Sequence, residues 1–376
     1  MSRNRRPSFL EFFAGGGMAR LGLGEAWSCA FANDFDPVKA ATYRDNFPDA
    51  EHFHEGDVWA LAPSDLPRGA SLAWASSPCQ DFSLAGGRAG LKGGRSSAFF
   101  GFWRLIEAMG AEAPPLVVIE NVSGLLTSHG GADFTALCAA LARQGYRFGA
   151  LEIDAAAFLP QSRPRVFVIA TRLAPPAGLQ GESPFHTRAV REAQGRLPAD
   201  LAQGWIWWRG AAPPRRNADL ASLLEPDAAA AWHSAERTER LLALMSPLHR
   251  ARLAAAEASG ERRVGAVFRR MRVEKGARVQ RAEVRFDGLA GCLRTPRGGS
   301  SRQTLLVVDG GQVRSRLVSP REGARLMGLP EAYRLPAPAT AALHVIGDGV
   351  AVPVVRWLSA GILEPIIEAR PALAAE

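Results

Sequence analysis

A cysteine, a glutamate and two arginines stand where covalent chemistry could use them. Cys79 lies in SSPCQDFSLAGGRAG (76–90), behind a proline and in a run too glycine-rich to be a helix. Gly86, Gly87, Gly90, Gly93 and Gly94 follow it, a composition that suits a mobile lid. A free cysteine is more often an inert small hydrophobe than a nucleophile, so its surroundings must decide. Glu120 and Asn121 close the apolar run PLVVIE (115–120). A carboxylate ending so apolar a strand should be partly desolvated, which raises its pKa and suits it to donate a proton. QSRPRVFVIA (161–170) puts Arg163 and Arg165 at the entrance to another run, where two guanidiniums could fix a planar polar group.

A second set of residues suits a nucleoside. In EFFAGGGMARLGLGEA (11–26), Gly15 and Gly17 let the backbone turn tightly, and the helix that follows offers its amino end to a ligand. Asp34 comes 19 residues after Gly15, where a ribose hydroxyl would be bound. Asp57, after a third short run, could accept from an adenine amino group. A dinucleotide fingerprint would want glycine where Arg20 stands, so the pattern favours a nucleoside cofactor other than NAD.

These residues need a scaffold that gathers them at one edge. SFLEFF (8–13), WSCAFA (27–32), SLAWAS (71–76), PLVVIE and RVFVIA (165–170) read as buried strands. Between them, residues 37–46, 97–109 and 133–144 carry apolar side chains at helical spacing. Strands alternating with helices predict an α/β fold with a doubly wound parallel sheet. Ligands bind such sheets outside the carboxyl ends of the strands, which is where Cys79 and Glu120 fall. From Leu173 the alternation stops, proline, alanine and arginine rise, and tryptophans cluster in WIWW (205–208). The chain therefore divides into a catalytic domain over 1–172, a second domain over 173–334, and a segment over 335–376 whose terminal helix (350–369) packs back on the first.

Composition adds a partner. The 376 residues sum to +8 with a pI of about 10.0. Between Glu261 and Arg302 twelve basic residues face four acids, so this one segment carries an excess equal to that of the whole chain. A basic face so concentrated is the footprint of a polyanion such as nucleic acid. The four cysteines, Cys29, Cys79, Cys138 and Cys292, lie far apart without metal-ligand spacing, which argues against zinc and against a disulfide framework. The isolated pair His52 and His54 suits a solvated strand edge better than a metal site. No run approaches a membrane span and the N-terminus is no signal peptide, so a soluble, cytoplasmic protein is expected.

The motifs, in this order, resemble the signature of the DNA (cytosine-5)-methyltransferase family of bacterial type. PCQDFS (78–83), ENV (120–122) and QSRPR (161–165) resemble its catalytic motifs, and FAGGG (13–17) its S-adenosylmethionine loop. RLVSPREGARLMGLP (316–330) and GDGVAVPVV (347–355) resemble its last two motifs, so the likeness runs over nearly the whole chain. It implies a Rossmann-like methyltransferase sheet with a smaller target-recognition domain. It also implies that Cys79 attacks C6 of a flipped-out cytosine, that Glu120 protonates or hydrogen-bonds N3, and that Arg165 holds O2 while Arg163 orients the site.

By the same resemblance Phe13, Gly15, Gly17, Asp34, Phe35, Asp57, Val58, Pro78, Asp348, Gly349 and Val350 would line the S-adenosylmethionine pocket. Arg294, Arg297, Ser300, Ser301 and Arg302, on a Gly-Gly turn, would touch duplex DNA. Asp348 stands where the family usually has Asn, and Cys292 where Thr often precedes Leu. The expected protein is a monomer without metal. It would belong to a restriction-modification pair, with a cognate endonuclease encoded nearby, or act as a solitary modification enzyme. The rivals are a tRNA cytosine methyltransferase on the same core, a catalytically dead DNA-binding regulator, and a nicotinamide oxidoreductase, which Arg20 disfavours.

Overall fold

The computed structural model describes residues 6–77, 98–216, 218–274, 276–294 and 302–369. It divides into two compact units: Met1–Asp154, Pro164–Pro213 and Val350–Glu376 form the first, Ala155–Arg163 and Pro214–Gly349 the second.

The first unit is an α/β layer built on a seven-stranded sheet. Its strands are β1 (Ser8–Phe12), β2 (Ser28–Asp34), β3 (Phe53–Glu55), β4 (Leu72–Ser76), β5 (Leu116–Val122), β6 (Arg147–Asp154) and β7 (Pro164–Thr171), in the order β3-β2-β1-β4-β5-β7-β6. The first five run parallel; β7 runs antiparallel to β5 and to β6. Helices α1 (Met18–Leu23), α2 (Pro37–Asn46), α3 (Ala98–Met109) and α4 (Ala132–Arg143) connect them. The strands read as near-continuous apolar runs because both faces of such a sheet are covered. Every residue of β4 up to Ser76 is buried, and so is β5 from Leu116 to Asn121.

Local sequence starts the helices. Asp36 caps α2 by accepting from the amides of Val38 and Lys39, with Pro37 in the first turn. In α3, Phe99, Phe102, Trp103, Leu105 and Ile106 form the buried stripe that joins the main core. Chain order reverses between β1 and β4, so the switch point where such folds bind ligands lies at their carboxyl ends.

The WIWW segment belongs to this first unit, although the sequence grouped it with the second domain. The Ile206 amide donates to the Phe148 carbonyl of β6 at 2.7 Å, the Phe148 amide donates to the Gly204 carbonyl at 3.0 Å, and Trp208 Nε1 donates to the Ile169 carbonyl of β7 at 3.0 Å. Gly149 permits the approach, since a Cβ there would meet the Ile206 carbonyl oxygen at 1.9 Å. Short helices α5 (Arg188–Gly195) and α6 (Ala199–Ala202) precede it. The change of unit comes at Pro214, well after the compositional change at Leu173.

The second unit holds α7 (Ala235–Ala243), α8 (Pro247–Ala258), β8 (Arg263–Glu274), β9 (Ala277–Arg285), β10 (Thr304–Asp309), β11 (Gln312–Leu317), α9 (Pro320–Leu326) and α10 (Ala339–Asp348). The strands form an antiparallel sheet in the order β11-β10-β8-β9. Leu241, Met245, Leu253 and Ala256 of the α7–α8 segment cover Val267, Ala282, Val284, Leu306 and Val308. The peptide Ala155–Arg163, between β6 and β7, joins this unit: Ala290 donates to the Pro160 carbonyl at 2.8 Å and Ser162 to the Ala290 carbonyl at 3.0 Å.

The chain then returns to the first unit as α11 (Val352–Leu358), a π-turn and α12 (Glu364–Glu368). Gly22 of α1 lets α11 approach, for a Cβ there would meet Val355 Cβ at 2.3 Å. Trp27 Nε1 donates to Ser359 Oγ at 2.8 Å and Arg356 to the Leu23 carbonyl at 2.6 Å. The run Ala339–Glu368 is apolar enough by composition to span a membrane, yet more than half of its most apolar window is buried, and Gly349 breaks it in an extended conformation.

Candidate active site

At the carboxyl edge of the sheet, β5 and β7 bring an acid to a base. Glu120 pairs across the ladder with Phe167, and Val122 with Arg165, so Glu120 and Arg165 are diagonal neighbours on one face. Arg165 Nε lies 3.1 Å from Glu120 Oε1, with 16% and 9% of the two side chains exposed. Ser76 of β4 sits opposite Glu120. Asn121, on the other face, donates to the Ser77 carbonyl at 3.0 Å and to Ser77 Oγ at 3.2 Å, while its own oxygen accepts from the Val122 amide. Asn121 thus fixes the backbone two residues before Cys79. The sequence placed Asn121 at the end of the apolar run and within ENV but gave it no role; its signal was a short amide at the end of a buried strand.

Cys79 and Pro78 lie outside the described residues. Of the other cysteines, burial pushes the Cys29 thiol up to about 12 and raises that of Cys138 further. Both are therefore poor nucleophiles.

Arg163 does a different job from Arg165. It is 2% exposed and belongs to the second unit. Its guanidinium donates to the carbonyls of Leu293 at 2.9 Å, Gly347 at 2.8 Å and Gly349 at 2.6 Å, and to Cys292 Sγ at 3.4 Å. Gln161, fully buried, adds a bond from its Nε2 to the Leu326 carbonyl at 2.6 Å and accepts from the Leu293 amide at 3.1 Å. Arg163 ties the loop at 290–294 to the 347–349 turn, and Gln161 ties the same loop to the end of α9. Sequence reasoning did not single out Gln161.

The glycine loop after β1 is built around Asp34. Its carboxylate accepts from the Gly15 amide at 2.8 Å and from the Asp36 amide at 2.9 Å. Burial raises its pKa, an effect that Lys39 and the two amides partly offset. Phe13, Gly15 and Gly17 all have positive φ. A Cβ on Gly17 would meet the Phe47 ring at 2.2 Å, whereas one on Gly15 would meet open space; there it is the backbone conformation that requires glycine.

Beneath the loop, Glu11 is buried to 1% and burial pushes its carboxyl up to about 8, though Arg20 opposes this. Asp57 caps the turn at Val58, accepting from the Trp59 amide at 3.0 Å, and Val58 is buried. Phe35, by contrast, is 68% exposed at the end of β2. An open glycine loop, a carboxylate with acceptor capacity left and a bare aromatic ring fit a cofactor with nucleoside and amino-acid parts.

Asp348 and Gly349 belong to the second unit, Val350 to the first. Asp348 ends α10, 3.9 Å from His344. Of the DNA-contact candidates, Arg294 is exposed and Arg302 donates to Thr340 Oγ1 at 2.9 Å. Arg297, Ser300 and Ser301 lie outside the described residues.

The family model for C-5 cytosine-specific DNA methylases matches residues 8–364. The chain belongs to that family. Among curated relatives, the type II methyltransferase M.BsuFI of Bacillus subtilis is 32% identical over 170 residues, 45% of this chain and 40% of the relative. M.HhaI of Haemophilus parahaemolyticus is 24% identical over 356 residues, covering 94% of this chain and 93% of the relative. The chain thus matches less than half the length of relatives such as M.BsuFI, but nearly all of M.HhaI. The S. pombe Dnmt2 methyltransferase structure has the same fold, with a TM-score of 0.59, 18% identity, and coverage of 96% of this chain and 99% of that one. C-5 methylase membership and the mostly parallel sheet thus agree with the motifs and the strand alternation.

Proposed function

We propose that this C-5 cytosine methylase transfers a methyl group from S-adenosylmethionine to C5 of a cytosine flipped out of a specific duplex DNA sequence. The observation that carries the reading is the Glu120–Arg165 pair at the end of β5, beside the strand that leads to Cys79. Cytosine C5 is a poor nucleophile. A Cys79 thiolate adding to C6 pushes an electron pair into the ring, and Glu120, at N3, supplies the proton or hydrogen bond that absorbs it. Arg165, steered by Glu120, holds O2. The cofactor supplies the electrophilic methyl. A base then takes the C5 proton, and the electron pair of that C–H bond re-forms the C5–C6 double bond as the C6–S bond breaks and the Cys79 thiolate leaves. Because the base must leave the stack first, the substrate is a flipped nucleotide.

Phe13, Gly15, Gly17, Asp34, Phe35, Asp57 and Val58 would hold the cofactor, and the family resemblance adds Pro78, Asp348, Gly349 and Val350 as cofactor-binding residues. The second unit would be the target-recognition domain. The type II naming of its relatives supports a place in restriction-modification, in the cytoplasm of a bacterium. The test is trapping on duplex DNA containing 5-fluorocytosine, whose C5 substituent cannot leave as a proton. A stable adduct is expected with the native protein and none with Cys79→Ser. Adduct formation by the Ser variant would overturn the nucleophile, and methyl transfer to tRNA but not to duplex DNA would overturn the substrate.

A further inference from the structure

The turn that follows β3 is too short to orient itself. Val58–Ala60 is a single 3-10 turn, closed by the Ala60 amide on the Asp57 carbonyl at 2.9 Å, and such turns have poor hydrogen-bond geometry. Val58 and Leu61 bury their side chains in the main core. That packing is non-directional, so it sets how deep the turn lies and leaves its rotation to polar contacts. The rotation matters because Asp57 begins the turn. Asp57 is exposed; one carboxylate oxygen accepts from the Trp59 amide, and the other takes no hydrogen bond among the described residues.

Helix α3 supplies those contacts. Arg104, half-buried on it, donates from Nη2 to the Leu61 carbonyl at 2.6 Å, the Trp59 carbonyl at 2.8 Å and the Val58 carbonyl at 3.3 Å. That nitrogen carries two hydrogens for three acceptors, so the three carbonyls converge on one point. The guanidinium also lies 5.5 Å from the centre of the Trp59 ring. Among the described residues it makes no ion pair, so its donors are spent on this turn. One helical turn earlier, Gly101 lets α3 come this close: a Cβ there would meet Val58 Cγ1 at 2.7 Å and Trp59 Nε1 at 3.0 Å. Two residues on one helix face therefore clamp the same turn, one by close approach and one by hydrogen bonds. Depth in the core needs neither of them. What the clamp adds is the direction of the Asp57 carboxylate.

We propose that Arg104 is a positioning residue for the cofactor: through the carbonyls of Val58, Trp59 and Leu61 it aims the Asp57 carboxylate at the adenine amino group of S-adenosylmethionine. The inference rests on the cofactor reading above and concerns a residue that acts without touching the cofactor. Methyl transfer by the full-length protein should be measured against cofactor and against duplex DNA. Arg104→Ala should raise KM for S-adenosylmethionine about tenfold, the worth of one hydrogen bond to a charged group, with kcat at saturating cofactor and KM for DNA kept. Arg104→Lys keeps the charge without the planar fork and should fall between. Gly101→Ala leaves Arg104 in place and favours the helix, yet its methyl would push the turn off α3, so KM for the cofactor should rise here too. In an Asp57→Ala background, Arg104→Ala should add little, because its effect passes through Asp57.

A lower thermal midpoint and kcat in Arg104→Ala, with the native KM for cofactor, would mark a merely structural contact and overturn the proposal. Additive losses in the double variant overturn the route through Asp57. Where Arg104→Ala fails to fold, Gly101→Ala and Arg104→Lys decide, and a native cofactor KM in both overturns it. A native protein that neither binds S-adenosylmethionine nor transfers its methyl group removes the methyltransferase reading first and this role with it.

Discussion

Arg163 and Arg165 stand two residues apart, and a strand would send both to one face. Instead β7 begins at Pro164, and the two guanidiniums part company. Arg163 saturates three carbonyls in the second unit, while Arg165 reaches Glu120 in the first. Arg163→Lys keeps the charge but loses the planar fork; stranding buried carbonyls this way should cost about 3–5 kcal/mol of stability, read as a lower midpoint in urea. Arg165→Lys keeps a cation beside Glu120; it should lower that midpoint less than Arg163→Lys does and instead reduce methyl transfer. The sequence made both arginines visible but could not separate them, because Arg163 is fixed by carbonyls more than a hundred residues away and Arg165 by a carboxylate on another strand. Glu120 was legible from its place at the end of an apolar run. Gln161 was not, since nothing near it in sequence reports its partners at 293 and 326.

Among the elements, the start of α9 shows why RLVSPREGARLMGLP is spaced as it is. Ser319 and Glu322 form a reciprocal capping box around Pro320. Arg316, at the end of β11, makes two bonds to the same Glu322 carboxylate at 2.7 and 2.6 Å, and the Glu225 amide donates to it at 2.9 Å. Burial alone would raise the Glu322 pKa, but Arg316 and the backbone amides hold it below the ordinary carboxylate range. A depressed carboxyl contributes stability that is present above the unfolded pKa, near 4.3, and is lost as pH falls through the folded value. Native stability should therefore drop as pH is lowered below about 4.3. Glu322→Gln should flatten that acid limb and, by leaving Arg316 buried without its partner, remove about 3–5 kcal/mol at neutral pH. Chemical denaturation at pH 7 and at pH 3.5–5 reads both effects. The cap could be read from Ser-x-x-Glu alone, whereas Arg316 could not, because strand and helix meet there only after the sheet has formed.

Over the whole molecule, the chain passes between the two units at Asp154, Arg163, Pro213 and Gly349. Strand alternation made the first unit legible, but no compositional edge marks the nine residues Ala155–Arg163 as part of the second. Their membership rests on buried hydrogen bonds, to Ala290, Leu293 and Leu326 among others. A polypeptide of residues 214–349 alone should then be poorly folded, with weak hydrogen-exchange protection around 290–294. Adding the 155–163 peptide in trans should restore protection there, and a fragment fully protected without it would refute this. For the descent of such enzymes the nine-residue excursion has a genetic meaning. A crossover that exchanges residues 214–349 alone cannot carry the whole second unit, because the gene keeps nine of that unit's residues between β6 and β7 of the first unit's sheet. Recombinants that inherit the second unit intact must therefore exchange both stretches.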